Sequence, residues 1–418
     1  MSPFPAQTPE ARLLLASARA ACDSRRAERD AAFLEQLAAC DVAWPRLFEW
    51  AVEHRVTPTL YRALDRSRGA TADLPPRVPA IAWQMLSRHI AHIGRYNLVV
   101  AQELRAILDE FERHRIEVIP YKGPVWADAL YGGVAQRQYG DLDLLLRRDD
   151  VASARRLIED RGYRAMPTST QSGLELKELM ARDCELGFER LGPPRLRLEL
   201  HWELFDAANC VGLEADRVFA AARPTRFAER DVLAFAPADW LLYLCAHGGE
   251  KHSWSRLKWI VDLARFLEQD TEIDVFAVME RARSSGRSES LALGFVLATT
   301  LLGAESSLRL PTSRDAARNV ARAGFALGHL FRADHDFPGF SEWRSYLTDA
   351  RLPLAAAAPP ELAMDTWRCR RLYFSALCQP TWSDRRARGT TRGKRYEQIS
   401  RIAWLAQTYK AGIIERLR

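Results

Sequence analysis

Two aspartates separated by a single leucine introduce an apolar run, and this arrangement restricts how the chain can fold. Asp141 and Asp143 flank Leu142, and three more leucines follow directly. Such a short, apolar run predicts a buried strand over 141–146. Because side chains alternate between the faces of a strand, both carboxylates point to one face while Leu142 and Leu144 point into the core.

Two carboxylates this close repel each other, and burial favours the neutral form of at least one of them. A divalent cation removes this conflict. Mg²⁺ takes oxygen ligands and typically uses one or two carboxylates together with the phosphates of a substrate. The pair therefore predicts a metal site for a nucleoside triphosphate. We expect two Mg²⁺ ions, with Mn²⁺ as the alternative metal.

Transfer of a phosphoryl or nucleotidyl group usually needs a third carboxylate, because both metals must be held and the attacking hydroxyl must lose its proton. The alternating stretch RLRLELHWEL at 195–204 predicts a neighbouring strand. Glu199 stands between two leucines and faces away from them. Glu203 is the alternative, and the choice depends on where the strand ends. His201 shares the face of Glu199, where it contacts a carboxylate or the acceptor, or is a buried hydrogen-bonded histidine.

The chain around this motif changes from helical to mixed and back to helical. Apolar residues at three- and four-residue spacing predict helices over most of the first 113 residues. Short strands mixed with helices across 116–204 predict a compact α+β unit with a mixed sheet, and helix returns from about 238. The predicted regions are an N-terminal helical region over 1–113, a core over 114–236, a helical region closing the cleft over 237–350, and a C-terminal segment with a basic loop over 351–418.

A set of positions around the aspartates follows an ordered pattern. A Lys-Gly turn follows a strand, an arginine and a short turn lead into Asp-x-Asp, and the next helix ends in Gly-Tyr: these are Lys122, Gly123, Arg137, Gly140, Asp141, Asp143, Gly162 and Tyr163. The pattern resembles the core of an uncharacterised bacterial nucleotidyltransferase family of the DNA polymerase β-type superfamily, with relatives among the aminoglycoside and lincosamide nucleotidyltransferases. The stretches at 199–204, 247–267 and 373–384 also resemble segments of that family.

This resemblance implies a polymerase β-like nucleotidyltransferase core, an α+β fold of mixed sheet and helices, flanked by N- and C-terminal helical regions. The superfamily usually carries Gly-Ser in its first turn, whereas this chain has Lys122, Gly123 and Pro124. Gly123 still allows close approach of the backbone to phosphate, but Pro124 offers no N–H. Lys122 supplies a charge for the phosphates instead. Arg137 either contacts the triphosphate or is a solvated loop arginine.

The stretch at 247–262 carries polar residues at helical spacing on an otherwise apolar segment. Lys251 is expected to neutralise charge on the transferred phosphoryl group, and Arg256 lies on an adjoining face. The alternative is a solvated face with a salt bridge between Lys258 and Asp262. Two adjacent glycines, 248 and 249, argue against that alternative because they destabilise a plain amphipathic helix.

The function implied is Mg²⁺-dependent transfer of a nucleoside monophosphate, most simply AMP from ATP, to a hydroxyl or phosphate of a small-molecule or peptide acceptor, with release of pyrophosphate. Asp141 and Asp143 bind both metal ions, and Glu199 completes the second site or acts as base. Two alternatives stay open: transfer to a nucleic-acid 3′ end, and a non-catalytic nucleotide-binding module of regulatory or toxin–antitoxin type. The acceptor, the nucleotide and the oligomeric state are also open.

Composition narrows the setting of this activity. The formal charge of +6 over 418 residues is modest, so anionic ligands fit but nucleic acid is not expected as a partner. Seven scattered cysteines without a C-x-x-C pair favour the reduced cytoplasm. The N-terminus lacks the pattern of a signal peptide, and the apolar run at 291–304 is too short to cross a membrane. The basic stretch at 385–395 is a solvated loop or contacts an acidic acceptor or nucleic acid.

Overall fold

A mixed sheet lies at the centre of the chain. The computed structural model describes residues 8–22, 26–39, 41–67, 77–167, 173–205, 212–252, 254–269, 272–285 and 287–305, all of which belong to one compact unit. The predicted C-terminal segment over 351–418, with its basic stretch at 385–395, lies outside these residues. The boundaries predicted for the other three regions stay predictions.

Five strands form the central sheet in the order β1-β2-β5-β4-β3. β2 and β5 run parallel, and the other neighbours are antiparallel. Two further strands, β6 and β7, form a separate hairpin. The predicted α+β class with a mixed sheet is therefore confirmed. The strands are β1 Val118–Tyr121, β2 Leu142–Leu146, β3 Arg164–Ala165, β4 Glu185–Arg190, β5 Leu196–His201, β6 Arg223–Phe227 and β7 Arg230–Ala234.

Helices precede the sheet, connect its strands and follow it. Thirteen α-helices lie in the described part of the chain: α1 Pro9–Ala20, α2 Arg26–Ala39, α3 Trp44–Glu53, α4 Thr57–Ser67, α5 Ala80–Arg113, α6 Gly123–Tyr131, α7 Val151–Asp160, α8 Leu176–Arg182, α9 Ala215–Ala221, α10 Pro237–Ala246, α11 Leu257–Leu267, α12 Val275–Ser284 and α13 Ser288–Val296.

The two faces of β2 contact different helices, as the alternation of its sequence predicts. Leu142, Leu144 and Leu146 belong to a hydrophobic cluster that includes residues of α5 and α7. Leu145 points the other way and belongs to a second cluster that includes residues of α10 and α11. Asp143 shares the face of Leu145 because the side-chain period of a strand is two. The carboxylate is thereby directed towards the layer of α10 and α11.

The stretch from α10 to α11 is interrupted, although the spacing of its residues favours one long helix. A π-helical turn, His247–Lys251, follows α10. Trp254 is buried in the interruption, with a φ of 53°. Its backbone N–H donates to the carbonyl of Gly248 over 2.7 Å. A Cβ on Gly248 would lie 2.5 Å from the Trp254 ring. The glycine pair therefore makes room for a tryptophan, and the continuous polar stripe predicted over 247–262 is wrong.

The hairpin of β6 and β7 was not predicted because its turn lacks the usual residues. Ala228 and Glu229 form the turn with φ values of 46° and 66°. Such turns normally contain glycine, asparagine or aspartate, which tolerate positive φ. An alanine followed by a glutamate gives no such signal in the sequence.

The apolar run at 291–304 lies largely in α13 and in a π-helical turn, Leu297–Leu301. Leu291, Leu297 and Leu301 are buried in the cluster that contains α10 and α11. None of the helices in the described ranges is both long enough and apolar enough to cross a membrane.

The role of Gly248 can be tested by adding the one methyl group that the structure excludes. We expect Gly248→Ala to lower the free energy of unfolding by about 1–3 kcal/mol, because the new Cβ overlaps a buried ring. Urea denaturation measures the change. Gly94→Ala is the matched control, since its Cβ would meet only Ala135 at 3.9 Å in the middle of α5, and we expect it to be neutral or slightly stabilising. Equal stability of the native protein and Gly248→Ala would contradict the packing argument.

Candidate active site

The parallel pairing of β2 with β5 brings two predicted site residues together. Asp143 lies opposite Glu199 in this register, and Tyr121 lies opposite Asp143 on β1. Residues opposite each other on adjacent strands point to the same face. The side chain of Asp143 is 2% exposed and that of Glu199 is 34% exposed. One carboxylate is therefore enclosed, and its neighbour is open to a ligand.

The turn between β1 and α6 approaches the first aspartate closely. Lys122 has a φ of 58° and Gly123 a φ of 45°, both in the left-handed region. A Cβ on Gly123 would lie 3.2 Å from the carbonyl oxygen of Asp141, so only glycine fits here without displacement. The turn directs Lys122 Nζ to within 2.7 Å of Asp143 Oδ1. Burial alone would raise the pKa of Asp143, but Lys122 and then His201 hold it well below the usual carboxyl range.

His201 at the end of β5 lies among three carboxylates. Its Nε2 is 3.3 Å from Asp143 Oδ1 and 3.3 Å from Glu199 Oε2, and its Nδ1 is 3.4 Å from Glu185 Oε2. The ring nitrogens do not have hydrogen-bonding geometry to these oxygens, so the attraction is mainly electrostatic. Burial lowers the pKa of His201, but the carboxylates outweigh burial and raise this pKa to about 9. The sequence placed His201 on this face but did not predict its contact with Glu185.

Asp141 immediately precedes β2 and is half-buried. Burial raises its pKa, and the negative charges of Asp143 and Glu199 raise it further, while Lys122 and Lys258 oppose them. This is the effect expected from the sequence, in which one carboxylate of the pair is shifted towards its neutral form. The two aspartates thus differ, since the pKa of Asp143 is lowered and that of Asp141 is raised.

The residues present fit a divalent cation. Asp143, Glu199 and His201 each offer a ligand atom, and these atoms lie within 4.8 Å of one another. Asp143 Oδ2 is buried and accepts no hydrogen bond from any described group, which leaves an oxygen available as a ligand. Carboxylate oxygens suit Mg²⁺ and Mn²⁺. With its pKa raised to about 9, His201 carries a proton near neutral pH. It would have to lose that proton to coordinate a metal, because only the neutral imidazole has a free lone pair.

The structure separates the two candidates for the third carboxylate. β5 ends at His201, so Glu203 lies beyond the strand. Its Oε2 accepts from the N–H of Ala215 over 2.9 Å at the start of α9, and its Oε1 is 3.9 Å from Arg148 Nε. Glu203 therefore stabilises a helix terminus, and Glu199 is the glutamate beside Asp143.

Arg137 is buried in an ion pair with a residue of α11. Its Nε donates to Asp262 Oδ1 over 2.8 Å and its Nη2 donates to Oδ2 over 2.7 Å. The hydroxyl of Tyr131 donates to the same Oδ1 over 2.7 Å. Burial raises the pKa of Asp262, but Arg137 outweighs it and lowers that pKa. The arginine thus joins the turn before Asp141 to α11, and the salt bridge between Lys258 and Asp262 is not formed.

A group of aromatic side chains from α10, α11 and the interruption between them lies near Lys122. Tyr243 stacks on His247 at 5.3 Å, and His252 stacks on Trp259 at 4.2 Å between ring centroids. Burial lowers the pKa of both histidines, and the charge of Lys122 lowers it further. Both imidazoles are therefore neutral near neutral pH. They add polar but uncharged atoms to this part of the molecule.

The remaining predicted phosphate contacts lie on the same helical layer. Lys251 is exposed on the π-helical turn. Arg256 is half-buried just before α11, with its guanidinium carbon 5.8 Å from the Trp259 ring centroid. Lys258 is half-buried in the first turn of α11, and burial, followed by the charge of Arg137, lowers its pKa to about 7. Asp262 and then Asp141 oppose that shift. Lys258 lies one turn before Asp262, whose partner Arg137 precedes the Asp-x-Asp motif; the sequence did not predict this position.

The contribution of Arg137 to stability can be measured through its ion pair. We expect Arg137→Ala to lower the free energy of unfolding by about 3–5 kcal/mol, because Asp262 would keep a buried charge without its partner. The double variant Arg137→Met/Asp262→Leu should lose less, since it removes both charges. Chemical denaturation measures both. Arg226→Ala is the control from an exposed pair with Asp231, and we expect it to cost less than about 1 kcal/mol. If Arg137→Ala lost as little stability as Arg226→Ala, the ion pair of Arg137 would not have the stabilising role inferred for it.

The raised pKa of His201 predicts a pH dependence of stability in metal-free protein. The folded-state pKa of about 9 lies above the ordinary value of 6.5. The stabilisation is therefore complete below pH 6.5 and is lost as pH rises to about 9. Lys258, whose pKa is lowered to about 7, gives the opposite slope as pH rises above that value, so the test compares proteins that all keep Lys258. In thermal unfolding with a chelator, the Tm of the native protein minus that of His201→Gln should fall between these pH values, whereas the Tm of His114→Gln, at an exposed position, should follow that of the native protein. An equal slope in all three proteins would exclude His201 as the cause.

Comparison with known proteins agrees with this geometry. No curated protein gives a significant match to the chain. A family model described as an uncharacterised nucleotidyltransferase matches residues 41–303, which is more than half of the 418 residues. All of the residues that form the candidate site lie within this match. The chain therefore belongs to this family of uncharacterised nucleotidyltransferases.

Proposed function

We propose that the chain transfers a nucleoside monophosphate, most simply AMP from ATP, to a hydroxyl or phosphate of a small-molecule or peptide acceptor and releases pyrophosphate. Membership of a nucleotidyltransferase family supports nucleotidyl transfer in general. The donor, the Mg²⁺ dependence and the class of acceptor are the parts that we add. We also propose a cytoplasmic location, which the seven scattered cysteines without a C-x-x-C pair support.

The observation that carries this proposal is the pairing of Asp143 with Glu199 beside the start of α6. Asp143 Oδ2 is buried without a hydrogen bond to any described group, and Glu199 is its direct neighbour in the register. A buried carboxylate oxygen without a partner costs free energy unless a ligand binds it. A divalent cation at this position would neutralise the carboxylates and polarise the phosphoryl oxygens of a nucleotide.

Each carboxylate has a separate role in the proposal. Asp141 and Asp143 would hold the metal, and a cation bound there would lower the pKa of Asp141, which burial and the neighbouring carboxylates raise. Glu199 completes the second metal site or accepts the proton of the acceptor hydroxyl. Its pKa is raised by burial, but His201 outweighs burial and lowers it. Glu199 is therefore ionised near neutral pH and able to perform either role.

The phosphates of the donor lie against the turn at Lys122 and Gly123 in this proposal. Lys122 supplies charge, and the left-handed backbone at Gly123 allows close approach. Lys251 and Arg256 contribute charge from the helical layer. Arg137 donates to Asp262 through Nε and Nη2, which leaves Nη1 and the second N–H of Nη2 for its proposed contact with the triphosphate.

Nucleotide binding tests the proposal without knowledge of the acceptor. ATP, GTP, CTP and UTP are titrated with Mg²⁺ by calorimetry against the native protein and Asp141→Asn/Asp143→Asn. We expect one nucleotide to bind, and the variant to bind it at least about tenfold more weakly, because charge-assisted metal contacts are lost. With a chelator the two proteins should bind equally weakly.

The control variant is Asp149→Asn/Asp150→Asn, which changes the charge equally in the turn after β2. It should bind the nucleotide as the native protein does. No binding of any nucleotide, or equal binding by the Asp141→Asn/Asp143→Asn variant, would reject the metal site. Tight binding with no turnover on any acceptor would favour the non-catalytic module instead.

A further inference from the structure

Three cationic residues meet where the turn between α3 and α4 contacts the start of α11. The carbonyl of His54 accepts from the N–H of Lys258 over 3.3 Å. The Nδ1 of His54 accepts from the N–H of Leu257 over 3.4 Å. Arg55 follows His54 directly, with a φ of 55°, and Arg256 precedes Leu257. The backbone contacts thus fix Arg55 beside Arg256 and Lys258. We refer to these three residues as the cation cluster.

The positive charges of the cation cluster are not matched by ion pairs among the described residues, although Asp262 and Asp141 both favour the charged form of Lys258. None of its side chains forms an ion pair with a carboxylate of the described residues. Asp262 lies one turn after Lys258, but its two oxygens already accept from Arg137. Burial lowers the pKa of Lys258 and of Arg256, and the charge of Arg55 lowers both further. Glu53 opposes this effect at Arg256. Positive charges are therefore held close together at half-buried positions.

An anionic ligand would relieve this repulsion. Like charges held close together near a protein surface repel each other, so their proximity is unfavourable without a counter-charge. Arginine presents a planar set of N–H donors that matches phosphate oxygens, and lysine adds a point charge. All three residues are only half-buried, so a ligand can reach them. A phosphate group is the anion that this combination suits best.

The position of the cation cluster connects it to the candidate active site. Lys258 and Asp141 each favour the charged form of the other. Asp262, one turn after Lys258 on α11, is paired with Arg137, which precedes Asp141 by four residues. This ion pair places the start of α11 beside the turn that leads into the Asp-x-Asp motif, whereas Lys122 is engaged with Asp143. The α3–α4 turn belongs to the predicted N-terminal helical region and not to the sheet. The N-terminal region would then supply part of the substrate site.

We propose that Arg55, Arg256 and Lys258 form an anion subsite that binds a phosphate group of a substrate beside Asp141. The source of that phosphate rests on the proposed function, in which it belongs to the triphosphate of the donor or to a phosphate on the acceptor. Arg55 and Lys258 are thereby assigned a role in addition to Arg256.

Inorganic tripolyphosphate in metal-free buffer tests the anion subsite directly. We expect it to bind the native protein by calorimetry and to raise Tm with increasing concentration. Arg55→Gln and Lys258→Gln should each weaken its binding about tenfold, because each removes a charge-assisted contact. Lys258→Arg should retain most of the affinity. Arg223→Gln and Lys177→Gln are matched controls at exposed positions and should bind as the native protein does.

The stability of the free variants separates a ligand contact from a structural role. Without anion, Arg55→Gln and Lys258→Gln should have a Tm equal to or above that of the native protein, because a like charge has been removed. Should the native protein fail to bind tripolyphosphate, or both variants bind it unchanged, the proposal would be overturned. The proposal would also be overturned if the anion-free variants had a lower Tm than the native protein, because a loss of folded structure would then explain their weaker binding.

Two further arms identify the source of the phosphate and separate this proposal from the proposed function. If the variants also lose affinity for the Mg²⁺-nucleotide, the subsite binds the donor. If only the binding of tripolyphosphate falls, the subsite binds the acceptor. The variant Asp141→Asn/Asp143→Asn should still bind metal-free tripolyphosphate at least as tightly as the native protein. Failure of the metal site would then leave this result unchanged, and failure of the subsite would leave metal-dependent nucleotide binding in place.

Discussion

A buried carboxylate keeps its charge only where cations or donors stand close to it, and Asp143 has two cations beside it. Lys122 lies 2.7 Å from Oδ1 and His201 lies 3.3 Å from the same oxygen. Lys122 directly follows β1 and His201 ends β5, and these are the two strands that pair with β2. The register of β1, β2 and β5 and the left-handed turn at Lys122 therefore depend on one another, because a shift in either would leave Asp143 with an uncompensated charge.

The helical layer is connected to this arrangement through a second buried pair. Arg137 precedes the Asp-x-Asp motif and is bound to Asp262 on α11, so the turn that carries Asp141 is held by a helix far along the chain. The α3–α4 turn in its turn contacts the start of α11 through His54. The N-terminal helices, the sheet and α11 thus contribute to one set of charges, which is why the cation cluster lies near the carboxylates.

Local periodicity was sufficient to predict β2 and β5 and the face on which the carboxylates lie. β2 and β5 fall within the predicted stretches 141–146 and 195–204, and the earlier end of β5 explains why Glu199 and not Glu203 neighbours Asp143. Contacts between distant residues were not predictable in this way. The partner of Arg137 is 125 residues away, and the break between α10 and α11 depends on Trp254 packing against glycines. No spacing rule reports either, because both are decided by tertiary packing.

The charge balance also suggests how Lys122 can serve both the free and the liganded protein. In the free protein it compensates Asp143, and burial of an ammonium group is tolerable only with such a partner. A divalent cation at Asp143 would take over that compensation and repel Lys122. The phosphates of a nucleotide that binds with the metal would then offer Lys122 a negative charge. The substitution of Lys-Gly-Pro for the usual Gly-Ser turn is therefore compatible with phosphate binding, because the lysine becomes available at the same step that brings the phosphate.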